Sequence, residues 1–255
     1  EKAEFPRDKI CGDGLTPSAV HELALMGMDT STWMRNRGLR VIGGGHTMDM
    51  EWPDQKSLPG FGMTRARTRL DHDLILRAVA AGAHLHEGRT VTGALTDANG
   101  RVNGVTARSG RGEGAREITA RGKLIVDAGG VSARLATSLG IERRRNRPMG
   151  VAARTYFRSP RSDEEWMESH LELWDGEPGA SNLLPGYGWI FPMGDGTVNV
   201  GLGSVSSTAQ ATALPYKRVF SQWTAHLPRE WGFTPENQVQ PLRSAALPMS
   251  FHRTP

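Results

Sequence analysis

Between Leu184 and Gly203 the chain reads Leu184-Pro185-Gly186-Tyr187-Gly188-Trp189-Ile190-Phe191-Pro192, then Gly194-Asp195-Gly196, then Val198-Asn199-Val200-Gly201-Leu202-Gly203. Two extended runs joined by a glycine-rich turn specify an antiparallel hairpin. At a strand period of two, Tyr187, Trp189 and Phe191 share one face. That row has two readings. It is either the inner face of a sandwich core, or an apolar wall for a long hydrophobic ligand, with the intervening glycine leaving room for close approach.

The rest of the chain can support such a sheet. With 255 residues, 38% of them hydrophobic and 23% charged, it has enough apolar material for a sizeable core, and disorder, collagen and coiled coil are excluded. A single cysteine excludes an internal disulfide and any cysteine-based zinc site. The net charge of +4 comes largely from arginine, as in Arg65, Arg67 and Arg69 and in Arg143-Arg144-Arg145. Scattered arginines of this kind read as a solvated face, and no nucleic-acid partner is expected. No apolar run approaches the roughly 20 residues of a membrane span, and no signal peptide is evident. The expected location is cytoplasmic, with peripheral contact at the inner face of the membrane left open.

Familiar catalytic signatures are missing. There is no Walker A loop, G-x-S-x-G elbow or H-E-x-x-H helix. His84 and His86 lie two apart without a third ligand, so no metal site is expected. Asp163-Glu164-Glu165 beside Arg161 reads as a loop or helix start.

Helix signals are clear at two places. Thr16-Pro17 followed by apolar residues at helical spacing and Gly27 predicts a short helix. Leu70, Leu74, Val79 and Ala80 predict an amphipathic helix ending at Gly82. Strands are predicted on either side of Gly43-Gly44-Gly45, over Ala83–Gly88, and as a meander over 90–95, 102–109 and 117–120. Lys123–Gly130 reads as a short buried strand entering a glycine turn that continues to Ser132-Ala133-Arg134. Beyond Pro148, strands are predicted over 150–157, 170–174, 188–191, 197–202 and 245–249, with a helix over 216–226. A mixed α/β part is therefore followed by a β-rich part.

Cys11 stands in Pro6-Arg7-Asp8-Lys9-Ile10-Cys11-Gly12-Asp13-Gly14-Leu15. Glycines on both sides of a thiol let the backbone pass close to a bound flat molecule. The plainer reading is a turn holding a small buried hydrophobe. Backbone amides in the Lys123–Gly130 turn could bind a pyrophosphate, although such turns are common in α/β folds.

Several of these segments, in this order and spacing, resemble one family. Glu1-Lys2, the Phe5–Leu15 stretch with Cys11-Gly12-Asp13-Gly14, Arg67-Thr68-Arg69-Leu70-Asp71, Ile125–Ser132 and Tyr187-Gly188-Trp189-Ile190-Phe191-Pro192 resemble the geranylgeranyl reductase family of FAD-dependent oxidoreductases, within the p-hydroxybenzoate hydroxylase fold group. Residues 11–17, 184–192 and Glu230-Trp231-Gly232-Phe233 carry a narrower likeness to actinobacterial menaquinone reductases. The resemblance implies an α/β fold: a partial FAD-binding, Rossmann-like domain over 1–37 and 62–148, and a β-sheet substrate domain over 38–61 and 149–255. It also implies an FAD-dependent oxidoreductase that saturates an isoprenoid double bond, with a quinone or other isoprenoid lipid as substrate.

By the same resemblance Glu1 binds the adenosine ribose, while Arg7, Lys9, Gly12 and Gly14 line the flavin side of a cavity. Arg67, Asp127 and Gly130 lie near the dinucleotide, Cys11 is the catalytic candidate, and Tyr187, Trp189, Phe191 and Pro192 line the isoprenoid pocket. The chain departs from the family pattern in three ways. It contains no G-x-G-x-x-G, Gly129-Gly130 replaces the usual Asp-Gly, and the later Gly-Asp motif is not present. The resulting expectation is a fragment that binds FAD poorly or not at all, whereas the full-length protein binds it. Two other functions stay open: a flavin monooxygenase or halogenase of the same fold, and a non-catalytic lipid binder.

Overall fold

A computed structural model describes residues 1–110, 112–130, 134–141, 149–206 and 215–248, without the side chains of Glu113, Ser206 and Pro248. The arginine cluster 143–145, Ser132 and Ala133, and the predicted strand end at Met249 lie outside the described residues.

Along the chain run β1 (Gly14–Leu15), α1 (Pro17–Leu25), β2 (Met34–Asn36), β3 (Gly38–Gly43), β4 (His46–Glu51), β5 (Gly62–Thr64) and α2 (Arg67–Ala80). The meander β6 (Arg89–Thr96), β7 (Val102–Ser109) and β8 (Arg116–Arg121) follows, then the short α3 (Leu135–Ser138). The remainder is β9 (Met149–Arg158), β10 (Trp166–His170), β11 (Leu173–Trp174), β12 (Leu183–Leu184), β13 (Gly186–Pro192), β14 (Thr197–Ser206), α4 (Tyr216–Ala225) and β15 (Arg243–Pro248).

Local chemistry explains the boundaries. The Thr16 hydroxyl accepts from the Ala19 amide at 3.4 Å, Pro17 occupies the first helical turn, and Gly27 leaves α1 with φ +70°. Gly44 and Gly45, at φ +60° and +75°, form the two-residue turn between β3 and β4 that L side chains rarely tolerate.

The chain forms two compact units. The larger comprises residues 8–73 and those described beyond 148; the smaller comprises 1–7 and the described part of 74–147, so α2 begins in one and ends in the other. By compactness, then, residues 8–37 and 62–73 group with the β-rich part rather than with the meander.

In the larger unit a seven-stranded sheet has the order β15-β9-β14-β13-β10-β3-β4, antiparallel throughout except for the parallel β10/β3 pair. β1, β5 and β2 form a separate three-stranded sheet. Ile190, Val198, Val200 and Leu202 alternate onto one face of the large sheet and cluster with Val219, Phe220 and Trp223 of α4 and with Trp231. Each such side chain contributes about 1.5–3 kcal/mol on burial. Gly188 is needed here: a Cβ at that position would fall 2.3 Å from the Trp223 ring. The glycine read as making room for a ligand therefore makes room for α4.

The smaller unit carries the predicted meander, β6-β7-β8, with α3 beside β6. Two predicted strands do not form. Ala83–Gly88 is irregular; its His86 carbonyl accepts from the Glu1 backbone nitrogen at 3.1 Å and the Glu87 carboxylate accepts from the Phe5 amide at 2.6 Å. Lys123–Gly130 is likewise irregular, and Leu124 and Val126 are exposed. Both runs lack a neighbouring strand to pair with among the described residues, and an unpaired apolar run cannot form a ladder. The strand predicted over 170–174 lies instead at β10 and β11, broken between His170 and Leu173. Among the described residues no helix is long and apolar enough to cross a membrane.

Candidate functional site

The face of the large sheet opposite α4 is built by cross-strand register. Phe191 of β13 lies opposite Asn199 of β14, which lies opposite Tyr156 of β9; the next row runs Trp189, Gly201, Arg154 and Arg243. The indole of Trp189 lies against Gly201, where a Cβ would fall 2.2 Å from the ring. Tyr187, Trp189 and Phe191 follow one another with ring centroids 6.0 and 6.4 Å apart, as their spacing predicts.

That aromatic row is not an open wall. The loop from Cys11 to Gly14 packs upon it: a Cβ on Gly12 would meet the Phe191 ring at 3.0 Å, and one on Gly14 would meet it at 3.2 Å. The two glycines thus permit close approach to a protein aromatic. Trp189 is buried, whereas Tyr187 is exposed. Pro192 sits on the alternate face of β13, buried, with its carbonyl accepting from the Thr64 hydroxyl at 2.6 Å.

A polar network fastens the loop to the sheet. Asn199 Nδ2 donates to the Cys11 carbonyl at 2.9 Å and to the Asp13 carboxylate at 2.8 Å, while its Oδ1 accepts from the Trp189 indole at 3.0 Å. The Tyr156 hydroxyl donates to the same Asp13 oxygen. Arg154, fully buried, donates to Asp8 Oδ1 at 2.5 Å and to the Lys9 carbonyl at 3.2 Å, and its guanidinium stacks over the Tyr156 ring at 4.6 Å. The Lys9 side chain itself is exposed. Cys11 is half-buried; its sulfur accepts from the Asp13 amide at 3.4 Å, and the Arg67 guanidinium is a charged neighbour. Arg67 also grips Asp71 through both its Nε and Nη2, at 2.6 and 2.9 Å.

These contacts set the charge states. Burial pushes the Asp13 carboxyl above the usual carboxylate range, against the opposing hydrogen bonds from Tyr156 and Asn199 and the charge of Arg154. Burial, then the adjoining Asp13, raises the Tyr156 phenol, so the hydroxyl stays a donor. For Asp13 the folded chain releases its proton at higher pH than the unfolded chain, whose ordinary value is 3.8. The contribution is thus fully present below pH 3.8 and is lost as pH rises through the folded value. Asp13→Asn removes that titration. Urea unfolding should show the variant gaining stability relative to the native chain between pH 3.5 and pH 7; a pH-independent difference would contradict this assignment.

The predicted cofactor residues divide between the units. Glu1, Arg7, Asp127 and Gly130 belong to the smaller one; Lys9, Gly12, Gly14 and Arg67 belong to the larger. In the smaller unit Glu1 Oε1 accepts from the Ala3 amide at 3.0 Å and Oε2 pairs with Arg7 at 3.4 Å. Asp127 accepts from the amides of Gly129 and Ala136 at 3.1 and 3.3 Å, so it holds the turn and the start of α3. Gly130, at φ +69°, has open space where a Cβ would project. In the larger unit the structure brings Cys11, Gly12 and Gly14 together with Trp189 and Phe191. The sequence reading missed Asp13, Tyr156, Asn199, Arg154 and Asp8. One signal was present: Asn199 is a polar residue between Val198 and Val200 in a strand with both faces buried.

No family model matches the chain. It is 38% identical over 253 residues to the menaquinone reductases of Mycobacterium tuberculosis and Mycolicibacterium smegmatis, covering 98% of this chain and 58% of theirs. It is 29% identical to digeranylgeranylglycerophospholipid reductase 2 of Methanopyrus kandleri, over 82% of this chain and 48% of that protein. Among solved structures, a geranylgeranyl bacteriochlorophyll reductase-like protein from Thermoplasma acidophilum superposes with a TM-score of 0.76 at 20% identity, covering 98% of this chain and 59% of that one. The myxobacterial chondrochloren halogenase superposes with a TM-score of 0.70 at 20% identity, over 96% of this chain and 56% of that one. The fold is that of the p-hydroxybenzoate hydroxylase group, shared by reductases and halogenases alike. The chain spans just under three fifths of the length of the curated menaquinone reductases it matches. Over the length it spans, the chain belongs to the geranylgeranyl reductase family.

Proposed function

We propose that this chain is the greater part of an FAD-dependent reductase that saturates an isoprenoid carbon–carbon double bond, and that its substrate is the tail of menaquinone. The observation that carries the reading is the Cys11–Gly14 loop, clamped by Asn199 against Trp189 and Phe191. It places a thiol with a cationic neighbour beside an aromatic row, within a chain 38% identical to menaquinone reductases.

The cofactor fits this chain in part. Gly130 has open space where a Cβ would project, whereas the carboxylates of Glu1 and Asp127 already accept from the chain's own amides. Within the larger unit, Gly12 and Arg67 would border the flavin. When bound, reduced FAD would supply the hydride. The chain's own residues have the remaining tasks. An isolated alkene offers no polar handle, so it would be recognised through apolar area, at roughly 25 cal/mol per Å², with the exposed Tyr187 ring as the contact and the buried Trp189 backing it. Cys11 would give its thiol proton to the second alkene carbon, and the positive charge of the neighbouring Arg67 would offset the negative charge left on sulfur. Contact with the inner face of the cell membrane is part of the same proposal, because the quinone tail resides in the bilayer.

The substrate assignment is tested by competition. Full-length protein supplied with a reductant and equal amounts of menaquinone and a geranylgeranylated glycerophospholipid should saturate the quinone tail about tenfold faster, a difference of ~1.4 kcal/mol in transition-state binding. The opposite preference would overturn the menaquinone assignment while leaving the reductase class intact.

A further inference from the structure

Asp13 has a combination of properties that ordinary packing does not require. It is the one non-glycine residue with positive φ among those described, at +66°, and it is 1% exposed. Aspartate tolerates the left-handed region better than most residues, yet such a conformation persists only where the surroundings over-determine it. Here they do so at several atoms. The Asp13 amide donates to the Cys11 sulfur at 3.4 Å, its carbonyl accepts from the Arg65 amide at 3.1 Å, and its Oδ2 accepts from Asn199 and Tyr156. Asn199 Nδ2 also reaches the Cys11 carbonyl, so one amide group joins both residues to the sheet. The second carboxylate oxygen, Oδ1, is buried with no hydrogen-bond partner among the described residues. A carboxyl with one oxygen doubly bound and the other unused acts as an anchor point, not as a solvated acid.

We propose that Asp13 is a positioning residue: through Asn199 and Tyr156 it locks the Cys11–Gly14 loop onto the sheet and gives the Cys11 thiol a single setting beside Arg67. The catalytic consequence rests on the proposed function; the positioning itself does not. Gly12 and Gly14 complete the device by letting the loop lie against Phe191.

Cys11 is the only cysteine in the 255-residue chain, so thiol labelling reports on this loop alone. The test is the rate of reaction with Ellman's reagent in the native state, with and without low urea. Asp13→Gly, which keeps the backbone conformation accessible and removes the carboxyl, should label about tenfold faster through local opening. Tyr156→Phe, which keeps the ring and removes only the hydroxyl, should label about threefold faster. Asp13→Asn retains an acceptor oxygen and should label within about twofold of the native rate. Asp13→Gly combined with Asn199→Ala should label no faster than the faster single variant, because both remove one clamp. These accelerations should be independent of low urea.

Native-rate labelling of Asp13→Gly and Tyr156→Phe would overturn the proposal. So would accelerations that rise with urea as global unfolding does, because that pattern marks a merely structural role. If Asp13→Gly does not fold, Tyr156→Phe and Asp13→Asn still decide the matter. Failure of the labelling test leaves the reductase assignment standing, and failure of that assignment leaves the labelling result standing.

Discussion

Asp8→Ala will destabilise the larger unit by about 3 kcal/mol. Arg154 is fully buried at the centre of β9, and its Nη2 meets Asp8 at 2.5 Å, while its Nε and Nη1 have no hydrogen-bond partner among the described residues. Removing the carboxylate leaves a guanidinium in the interior with only the Lys9 carbonyl to bind. Breaking a buried pair from one side costs about 3–5 kcal/mol, and the one-fifth exposure of Asp8 places this pair at the lower end. The pair is not equivalent to its net worth. Asp8→Ala combined with Arg154→Met should recover most of the loss, since it removes the stranded charge and leaves an apolar side chain over Tyr156. Urea unfolding of the two variants checks both statements; Asp8→Ala within about 0.5 kcal/mol of the native chain would show that Arg154 finds another partner or water.

Cys11→Ala in the full-length enzyme will lower turnover by about a hundredfold or more, the lower range for loss of a general acid. The Michaelis constant for the quinone should change little, because on the proposed function the tail is recognised by apolar contact at Tyr187 rather than by the thiol. Cys11→Ser separates chemistry from packing: it keeps nearly the same shape with a poorer acid. Turnover of Cys11→Ser near that of Cys11→Ala supports proton donation, whereas native turnover in both leaves Cys11 as a filler of the loop.

Much of the framework was legible because it depends on local chemistry. Thr16-Pro17 and Gly27 bounded α1, Gly43-Gly44-Gly45 marked a hairpin, and the alternation around Trp189 gave β13 and its aromatic face. The reading failed where a segment depends on what it pairs with. Ala83–Gly88 and Lys123–Gly130 have strand composition but no ladder neighbour among the described residues, and so remain irregular. The same reason hid the clamp. Residues 13, 156 and 199 meet only because β9 and β14 pair with Asn199 opposite Tyr156, a register that composition does not reveal. Gly12, Gly14 and Gly188 are sites of close approach, and the protein groups that approach them, Phe191 and Trp223, are not named by composition.

On the proposed function, hydride adds to an isoprenoid alkene beside the clamped Cys11 loop. Mass analysis of menaquinone recovered from the full-length protein with FAD and a reductant under anaerobic conditions should show a gain of two hydrogens located in the isoprenoid tail. Recovery of the tail unchanged, or addition of oxygen or halogen to the aromatic ring once air or halide is admitted, would contradict it.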